Sequence, residues 1–298
     1  MPADLKLVTA VRSTFKRMPK VLQIGGTGTG KSYNLRSVVE AGLCLCTVET
    51  EPSEILDDLP CIPPEGSSHG ECHRRYITPA VPSWEAMMDN AKHINTMNFK
   101  MLTDLVDPNR HQYRGWFDVL SACANYKCDR CGKVLGDVTR FTDKQAFALD
   151  TLSGLNIMAM ELQSGAKPVK SQGDWQIAMD NEERFINKLT TDTRCLFILN
   201  AHAEREVDEI SGGVSVFAGA LGRKMGPKLP RFFSDVIHCR RDSKGWYWST
   251  LTPSFELKGR NVAWAIDIKP DFGPLLRTYE DRYAKGLAET DPPKPNQT

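Results

Sequence analysis

Near the amino end, the spacing of apolar residues changes in a way that predicts a strand followed by a helix. Residues 21–24 are mostly apolar, which is typical of a buried strand. After a glycine-rich stretch, apolar side chains recur at helical spacing, at Tyr33, Leu35, Val38 and Val39. A strand, a glycine-rich turn and a helix in this order predict the start of an α/β domain.

Further apolar runs predict more strands, and each run ends in polar residues. The runs are 43–50, which is followed by Glu51; 146–149, which is followed by Asp150; and 195–202, which contains Asn200 and His202. In doubly wound sheets the ligand lies beyond the carboxyl ends of the strands. We therefore expect a mostly parallel central sheet flanked by helices, with Lys31, Glu51, Asp150 and His202 at one edge.

The remaining segments indicate the limits of the domain. An amphipathic pattern over 173–189 predicts a helix. Residues 211–230 are rich in glycine and small side chains, which favours a mobile loop. Three short segments within 235–266 favour a β-meander that closes the domain. The predicted units are an N-terminal segment 1–20, a domain 21–284 with a cysteine-containing insertion at about 59–142, and a disordered tail 285–298.

The glycine-rich stretch matches a phosphate-binding motif. Gly25, Gly26, Thr27, Gly28, Thr29, Gly30, Lys31 and Ser32, followed by Tyr33, fit the pattern G-x-x-x-x-G-K-[S/T]. Its glycines let backbone N–H groups approach phosphate oxygens, and the following helix adds its positive N-terminal dipole. Lys31 supplies a charge for the β- and γ-phosphates, and the Ser32 hydroxyl can bind Mg²⁺.

The order of these motifs resembles that of the RecA-like P-loop ATPases in the AAA/RecA superfamily, especially those of bacteriophages that act in single-strand annealing and DNA recombination. The resemblance covers 21–51 and 146–272. It implies an enzyme that hydrolyses ATP with Mg²⁺. The segment GLCLCTVETEPSEIL stands where the family has its water-activating glutamate, which implies Glu51, with Glu49 as the alternative.

The same resemblance assigns roles to residues of the later segments. FALDTLSGL is similar to the Walker B strand, so Asp150 would hold Mg²⁺, and FILNAHAERE is similar to the sensor strand, with His202 where the family has an amide. LKGRNVA is similar to a strand whose lysine and arginine reach the nucleotide of a neighbouring subunit. Lys258 and Arg260 occupy these positions, so the resemblance implies a homo-oligomer, either a ring or a filament.

Single-stranded DNA is the substrate that the resemblance implies, with a single-strand-binding protein as a further partner. The chain contains 38 Lys and Arg against 37 Asp and Glu, a net charge of +1, so any DNA contact must be local. The candidate DNA-binding residues in or beside the 211–230 loop are Arg223, Lys224, Lys228 and Arg231.

Cysteine content predicts a metal site and a reducing compartment. The chain has nine cysteines, and residues 1–20 lack the apolar core of a secretory signal or a membrane span. We therefore expect a cytoplasmic protein, in the host cytoplasm if a phage encodes it. Cys123, Cys128 and Cys131 resemble one knuckle of a zinc ribbon, and idle cysteines are the alternative. The residues left open for a fourth zinc ligand are Cys61, Cys72, His73 and His111.

Two other functions stay open at this point. One is a nucleotide-dependent assembly factor that binds a protein partner and makes no contact with DNA. The other is a small-molecule kinase, which is disfavoured because no lid or acceptor motif follows Asp150.

Overall fold

The computed structural model describes residues 16–51, 53–207 and 212–290. Its strands are β1 (Lys20–Gly25), β2 (Cys44–Glu49), β3 (Cys72–Tyr76), β4 (Tyr126–Lys127), β5 (Val134–Gly136), β6 (Gln145–Asp150), β7 (Leu196–Val207), β8 (Val214–Ala218), β9 (Asp235–Arg241), β10 (Trp246–Ser249) and β11 (Lys258–Gly259). Its α-helices are α1 (Lys31–Asn34), α2 (Arg36–Glu40), α3 (Trp84–Thr96), α4 (Phe99–Asp104), α5 (Gly115–Ala124), α6 (Leu152–Ser164), α7 (Gln172–Asp192), α8 (Gly222–Met225) and α9 (Phe272–Thr290). Short 3-10 helices occupy Arg110–Gln112, Val138–Arg140 and Gly226–Phe232. Among these described helices, none combines the length and the apolar composition that crossing a bilayer requires.

The main sheet is mixed and mostly parallel, in the order β10-β9-β1-β7-β6-β2-β3. Every neighbouring pair from β9 to β3 is parallel. Strands β10 and β11 pair antiparallel with β9, and β8 pairs antiparallel with β7. Because parallel neighbours need crossover connections, helices cover the faces of such a sheet. The predicted α/β class, with a mostly parallel central sheet flanked by helices, is confirmed.

Side chains of the central strands alternate between two hydrophobic cores, one on each face of the sheet. In β7, Phe197 and Leu199 belong to the core that α6 and α7 cover. Leu196 and Ile198 belong to the opposite core, which α2 and α9 cover. A strand that is buried on both faces needs apolar residues at every position, which explains the continuous apolar run in β7.

The C-terminal strands differ from the predicted β-meander. β9 joins the parallel sheet beside β1, and β10 pairs only with residues 238–241 of β9. The amino end of β9 is therefore left for β11, which pairs with β9 and not with β10. The short length of β10 is the physical reason for this arrangement.

The 211–230 segment also differs from its prediction, because from Val214 onward it forms β8, α8 and a 3-10 helix. Gly219, Gly222 and Gly226 of this segment allow close packing. A Cβ placed on Gly226 would lie 2.5 Å from a ring carbon of Phe217. Small residues therefore bring these elements together instead of making a mobile loop.

The predicted insertion contributes to the main sheet, because β3 pairs with β2 at its edge. Within the same insertion, α5 packs on a core through Trp116 and Val119, whereas α3 and α4 have no buried residues. The predicted tail boundary at 285 falls inside α9. Residues 1–15 and 291–298, which belong to the predicted N-terminal segment and tail, lie outside the described residues.

Candidate functional site

The glycine-rich loop lies at the carboxyl edge of the sheet, between β1 and α1. Gly28 and Gly30 have φ angles of 75° and 82°, in the left-handed region that favours glycine. No side chain caps α1 at Gly30. The first N–H groups of a helix lack partners within the helix, so this end is a candidate anion cradle.

Lys31 is buried beside this loop and is held by the loop itself. Its Nζ donates hydrogen bonds to the carbonyl oxygens of Gly25 and Gly26, at 2.8 and 2.9 Å. Burial lowers the pKa of Lys31, although the acidic groups of Cys239, Asp150 and Glu51 oppose this change. The ammonium group therefore has two neutral acceptors that an anionic ligand can replace.

Asp150, at the end of β6, is the last member of a buried chain of polar side chains. Asn200 Nδ2 donates to Asp150 Oδ1 at 3.1 Å, and Gln23 Nε2 donates to Asn200 Oδ1 at 3.0 Å. Burial raises the pKa of Asp150, while hydrogen bonds from Ser32 and Asn200 oppose the rise. These hydrogen bonds fix the Asp150 carboxyl group beside Ser32. Sequence analysis missed Gln23, for which the only signal was an amide within an apolar strand.

A cavity of about 230 Å³ opens beside the loop and collects the residues that follow the strands. Its lining includes residues 27–32, Glu51, Asp150, Thr151 and His202. The peptide bond between Asp150 and Thr151 is cis. The structure thus brings together Lys31, Glu51, Asp150 and His202, the four side chains that the strand pattern placed at one edge.

Glu49, the last residue of β2, and Glu51, which follows the strand, have different surroundings. Glu51 lines the cavity: its Oε1 accepts a hydrogen bond from Thr151 Oγ1 at 2.8 Å, and its Oε2 lies 3.7 Å from His202 Nε2. Glu49 is only 2% exposed and accepts hydrogen bonds from Nε and Nη2 of Arg74, at 2.6 and 2.5 Å. Glu49 is committed to this ion pair, so Glu51 is the one of the two glutamates whose carboxylate is available at the cavity.

Two residues that sequence analysis did not select lie against the loop, on its β9 side. Trp246 Nε1 donates to the carbonyl oxygen of Gly28 at 3.1 Å, and the Trp246 ring packs against Tyr33 with centroids 4.7 Å apart. Arg241 Nη1 lies 3.7 Å from the position of a Cβ built on Gly28. The hairpin of β9 and β10 therefore supports the loop from the side away from Asp150.

Lys258 and Arg260 lie at the opposite edge of the sheet from the cavity. Gly259 pairs with Asp235 at the amino end of β9, whereas the loop follows the carboxyl end of β1. Lys258 Nζ donates to the carbonyl oxygens of Pro230 and Phe233, at 2.6 and 3.4 Å. A strand of this length spans on the order of 20 Å, so neither side chain reaches the cavity of its own chain.

Two of the candidate DNA-binding residues lie against the middle of α7, where they contact Glu183. Lys224 is exposed. Lys228 and Arg231 both form ion pairs with Glu183 of α7. The side chain of Arg223 lies outside what the structure describes.

A second cluster, in the insertion, could hold a metal ion. Its members are Cys61, His73, Cys128 and Cys131, whose ligand atoms all lie within 4.8 Å of one another. Cys128 and Cys131 come from the turn between β4 and β5, and His73 is on β3. Burial raises the pKa of the Cys128 thiol, but backbone N–H groups, including that of Cys131, and the His73 side chain lower it, to about 6 overall.

This cluster corrects the predicted ligand set, because Cys123 is not part of it. Cys123 lies in the hydrophobic core on α5, and burial raises its pKa to about 12. Cys72 contributes to a core as well, since neighbouring residues on a strand face opposite sides and His73 faces the cluster. Of the four residues left open as a further ligand, the cluster contains Cys61 and His73. Spacing could identify the Cys-x-x-Cys pair but not ligands that are distant in sequence.

The 230 Å³ cavity thus gathers a buried ammonium group, a buried carboxyl group, a hydroxyl and a more exposed carboxylate beside a glycine-rich turn. These groups can together hold a phosphate-like anion and a divalent cation. No family model matches the chain, and no curated protein is significantly similar to it.

Proposed function

We propose that this protein is a RecA-like P-loop ATPase of the phage type, which hydrolyses MgATP and acts on single-stranded DNA as an oligomer. One observation carries the proposal: Lys31, Ser32, Glu51 and Asp150 come from three separate segments and meet at one cavity beside a glycine-rich loop. A chance match to the motif in a surface turn would not bring a buried carboxyl group and a second acid to the same cavity.

Each side chain has a role in this proposal. Lys31 exchanges the carbonyl oxygens of Gly25 and Gly26 for the β- and γ-phosphates of ATP. Ser32 and Asp150 hold Mg²⁺, whose charge keeps the buried Asp150 ionised. Glu51 activates the attacking water, and His202 beside it responds to the γ-phosphate.

The DNA part of the proposal rests on the basic residues beside the middle of α7. Ion pairs of Lys228 and Arg231 with Glu183 involve partly exposed side chains, and exposed pairs are worth only about 0–1 kcal/mol. Phosphate groups of DNA can therefore compete with Glu183 for these cations.

Replacing Lys31 tests the central claim. Lys31→Ala should abolish ATP hydrolysis without unfolding the chain, because among the described residues the ammonium donates its hydrogen bonds to the loop carbonyls of Gly25 and Gly26. Lys188→Ala, which removes an exposed lysine of α7, is the matched control and should leave hydrolysis unchanged. Both variants are assayed with and without single-stranded DNA, and circular dichroism checks their folding. Hydrolysis at the wild-type rate by Lys31→Ala would overturn the proposal.

A second candidate, an assembly factor that binds a protein partner, is favoured by the surface of α3 and α4. Trp84 is 80% exposed and Phe99 74% exposed, and Met87 and Met88 are exposed too. Beside α3 is a cavity of about 880 Å³ lined by apolar side chains, including Ile157, Met160 and Phe217, and by charges of both signs, which suits a protein surface. ATP hydrolysis that does not respond to single-stranded DNA, together with the absence of DNA binding, would favour this candidate.

A further inference from the structure

The distances within the insertion cluster fit one tetrahedral metal ion. At about 2.3 Å from sulfur and 2.0–2.1 Å from nitrogen, Zn²⁺ holds two sulfur ligands roughly 3.8 Å apart and a sulfur and a nitrogen roughly 3.6 Å apart. Cys61 Sγ lies 3.8 Å from Cys128 Sγ, and Cys131 Sγ lies 3.5 Å from His73 Nδ1. Three thiols and one imidazole form a ligand set that selects zinc over Mg²⁺ or Ca²⁺.

The His73 ring is oriented as a metal ligand requires. Its Nδ1 faces Cys131, and its Nε2 lies 2.8 Å from Glu71 Oε2. Glu71 is held in turn by Lys133 Nζ at 2.6 Å. A carboxylate on the far nitrogen of a histidine fixes its tautomer and leaves the other nitrogen free to bind a metal.

Two arginines beside the cluster, together with Cys61, hold the segment that follows Glu51. Arg74, next to His73 on β3, donates to the carbonyl oxygen of Ser53 at 2.6 Å and pairs with Asp57. Arg130, between the two turn cysteines, donates to the carbonyl oxygens of Leu59 and Asp57, at 2.8 and 3.2 Å. Cys61 ends this segment and enters the cluster. Residues 53–61 are thus held at several points, and Cys61 is the point that a metal would fix.

We propose that Cys61, His73, Cys128 and Cys131 bind one structural Zn²⁺, and that this ion fastens residues 53–61 to β3 and to the turn between β4 and β5. A closed site with four protein ligands leaves no position for a substrate, so the ion stabilises the fold and takes no part in chemistry. Glu51 lies two residues before Ser53, the first residue of the fastened segment. The expected consequence for Glu51, a fixed position at the cavity, is the only part that rests on the proposed ATPase function.

Zinc content tests the ligand set. Protein purified without chelator should contain about one Zn²⁺ per chain, and Cys61→Ser and Cys131→Ser should each lower this content severalfold. Cys123→Ser is the matched control and should retain zinc, because Cys123 lies in the core. Since the serine variants can lose zinc by unfolding, His73→Cys provides a second test: it supplies a fourth thiolate and should keep the metal. Wild-type protein without zinc, or Cys61→Ser with full zinc, would overturn the proposal.

Cobalt substitution reports the ligands directly. The Co²⁺-loaded wild type should show the intense visible bands of a tetrahedral site together with thiolate charge-transfer bands. The charge-transfer bands should increase in His73→Cys, because a fourth thiolate is present. Weak bands of an octahedral site would contradict the assignment.

Hydrogen exchange tests the fastening. Removing zinc with a chelator should increase amide exchange in residues 53–61, whose Leu56 and Leu59 pack in one core, while exchange in α7, which packs in the core on the opposite face of the sheet, stays unchanged. Unchanged exchange in 53–61 would overturn the fastening even if zinc binds. Lys31→Ala should still contain one Zn²⁺, so a failure of the ATPase proposal and a failure of the zinc proposal give different results.

Discussion

Glu51 and Glu49 are two residues apart, and the structure predicts opposite effects of replacing them. Glu51→Gln should still bind ATP but hydrolyse it at least about 100-fold more slowly, because the attacking water loses its base. Glu49→Gln breaks the buried pair with Arg74, so it should mainly lower the free energy of unfolding. ATP turnover and urea denaturation of both variants distinguish the two effects. Normal turnover in Glu51→Gln, with loss of turnover in a folded Glu49→Gln, would show that the assignment is two residues off.

Glu182 predicts a dependence of stability on pH. It is buried in α7, where burial raises its pKa from 4.5 to about 8, and Leu221 N–H donates to its Oε2. Because the folded chain binds this proton more tightly than the unfolded chain, the associated stability is present below about pH 4.5 and is lost as the pH rises towards 8. A pKa shift of this size corresponds to a decrease in the free energy of unfolding on the order of 3–5 kcal/mol.

Replacing Glu182 by its neutral isostere should remove this loss. Urea denaturation at several pH values should show that Glu182→Gln is more stable than the wild type at pH 8 and that the difference vanishes near pH 4. Glu183→Gln changes the partly exposed neighbour on the same helix, and its stability should keep the fall between pH 4.5 and pH 8 that Glu182 causes. An equal pH dependence in wild type and Glu182→Gln would contradict the assignment of the buried proton.

At the residue scale, the sequence predicts the side chains that come directly after strands, because an apolar run followed by a polar residue is a local signal. It does not predict residues that reach the site through the fold. Arg241 and Trp246 contact the loop only because β9 and β10 form a hairpin beside β1. Cys123 was a wrong prediction for the same reason: spacing cannot show that α5 turns it into the core.

At the scale of elements, α8 and the 3-10 helix that follows it present the candidate DNA surface. Replacing Arg223 and Lys224 together by alanine should weaken binding of single-stranded DNA and lower the slope of log K against log salt by roughly 1.4, as expected for two lost phosphate contacts. Arg184→Ala together with Lys188→Ala removes two exposed cations of α7 as a control and should leave the slope unchanged. Fluorescence anisotropy at several salt concentrations measures the slope. If the Arg223 and Lys224 variant keeps the wild-type slope, the assembly-factor candidate is favoured.

Elements with strong local patterns were predictable, and those made by long-range packing were not. The strands β1, β2, β6 and β7 and the helix α7 follow apolar periods that the sequence shows directly. By contrast, β3 contains His73, Arg74 and Arg75 and lacks the alternation of a strand. It nevertheless pairs with β2, and its buried Arg74 forms an ion pair with Glu49 of β2. Its formation depends on a partner far away in sequence, which periodicity does not report.

At the scale of the whole molecule, strand order decides which groups can act together. β7 lies between β1 and β6, so Asn200 bridges the loop side and Asp150, whereas β9 lies on the other side of β1. The sequence predicts that parallel strands end at one edge but not their order along it. For this reason, the sequence predicts which residues lie at the edge. It does not predict which of them lie on the β7 side of the loop and which lie on the β9 side.

The position of Arg260 makes the oligomer testable. An arginine placed against the transferred phosphate contributes on the order of 10³-fold or more to hydrolysis. Arg260 lies at the far edge of the sheet and cannot reach its own cavity, whereas Arg241 lies beside the loop of its own chain. In the proposed oligomer, Arg260 would therefore act on a neighbouring subunit. Arg260→Ala should therefore bind ATP and hydrolyse it poorly.

Mixing variants separates action between subunits from action within one chain. An oligomer of Lys31→Ala and Arg260→Ala chains contains interfaces with an intact loop on one side and an intact Arg260 on the other, so hydrolysis should partly recover. A mixture of Lys31→Ala and Arg241→Ala should not recover hydrolysis, because Arg241 lies beside the loop of its own chain. The Lys31→Ala chain keeps Arg241 but has a defective loop, and the Arg241→Ala chain has an intact loop but no Arg241. Co-assembly is verified by pull-down of differently tagged chains. If Arg260→Ala hydrolyses ATP normally and Arg241→Ala does not, the cation comes from the same chain, and catalysis does not require the oligomer to supply it.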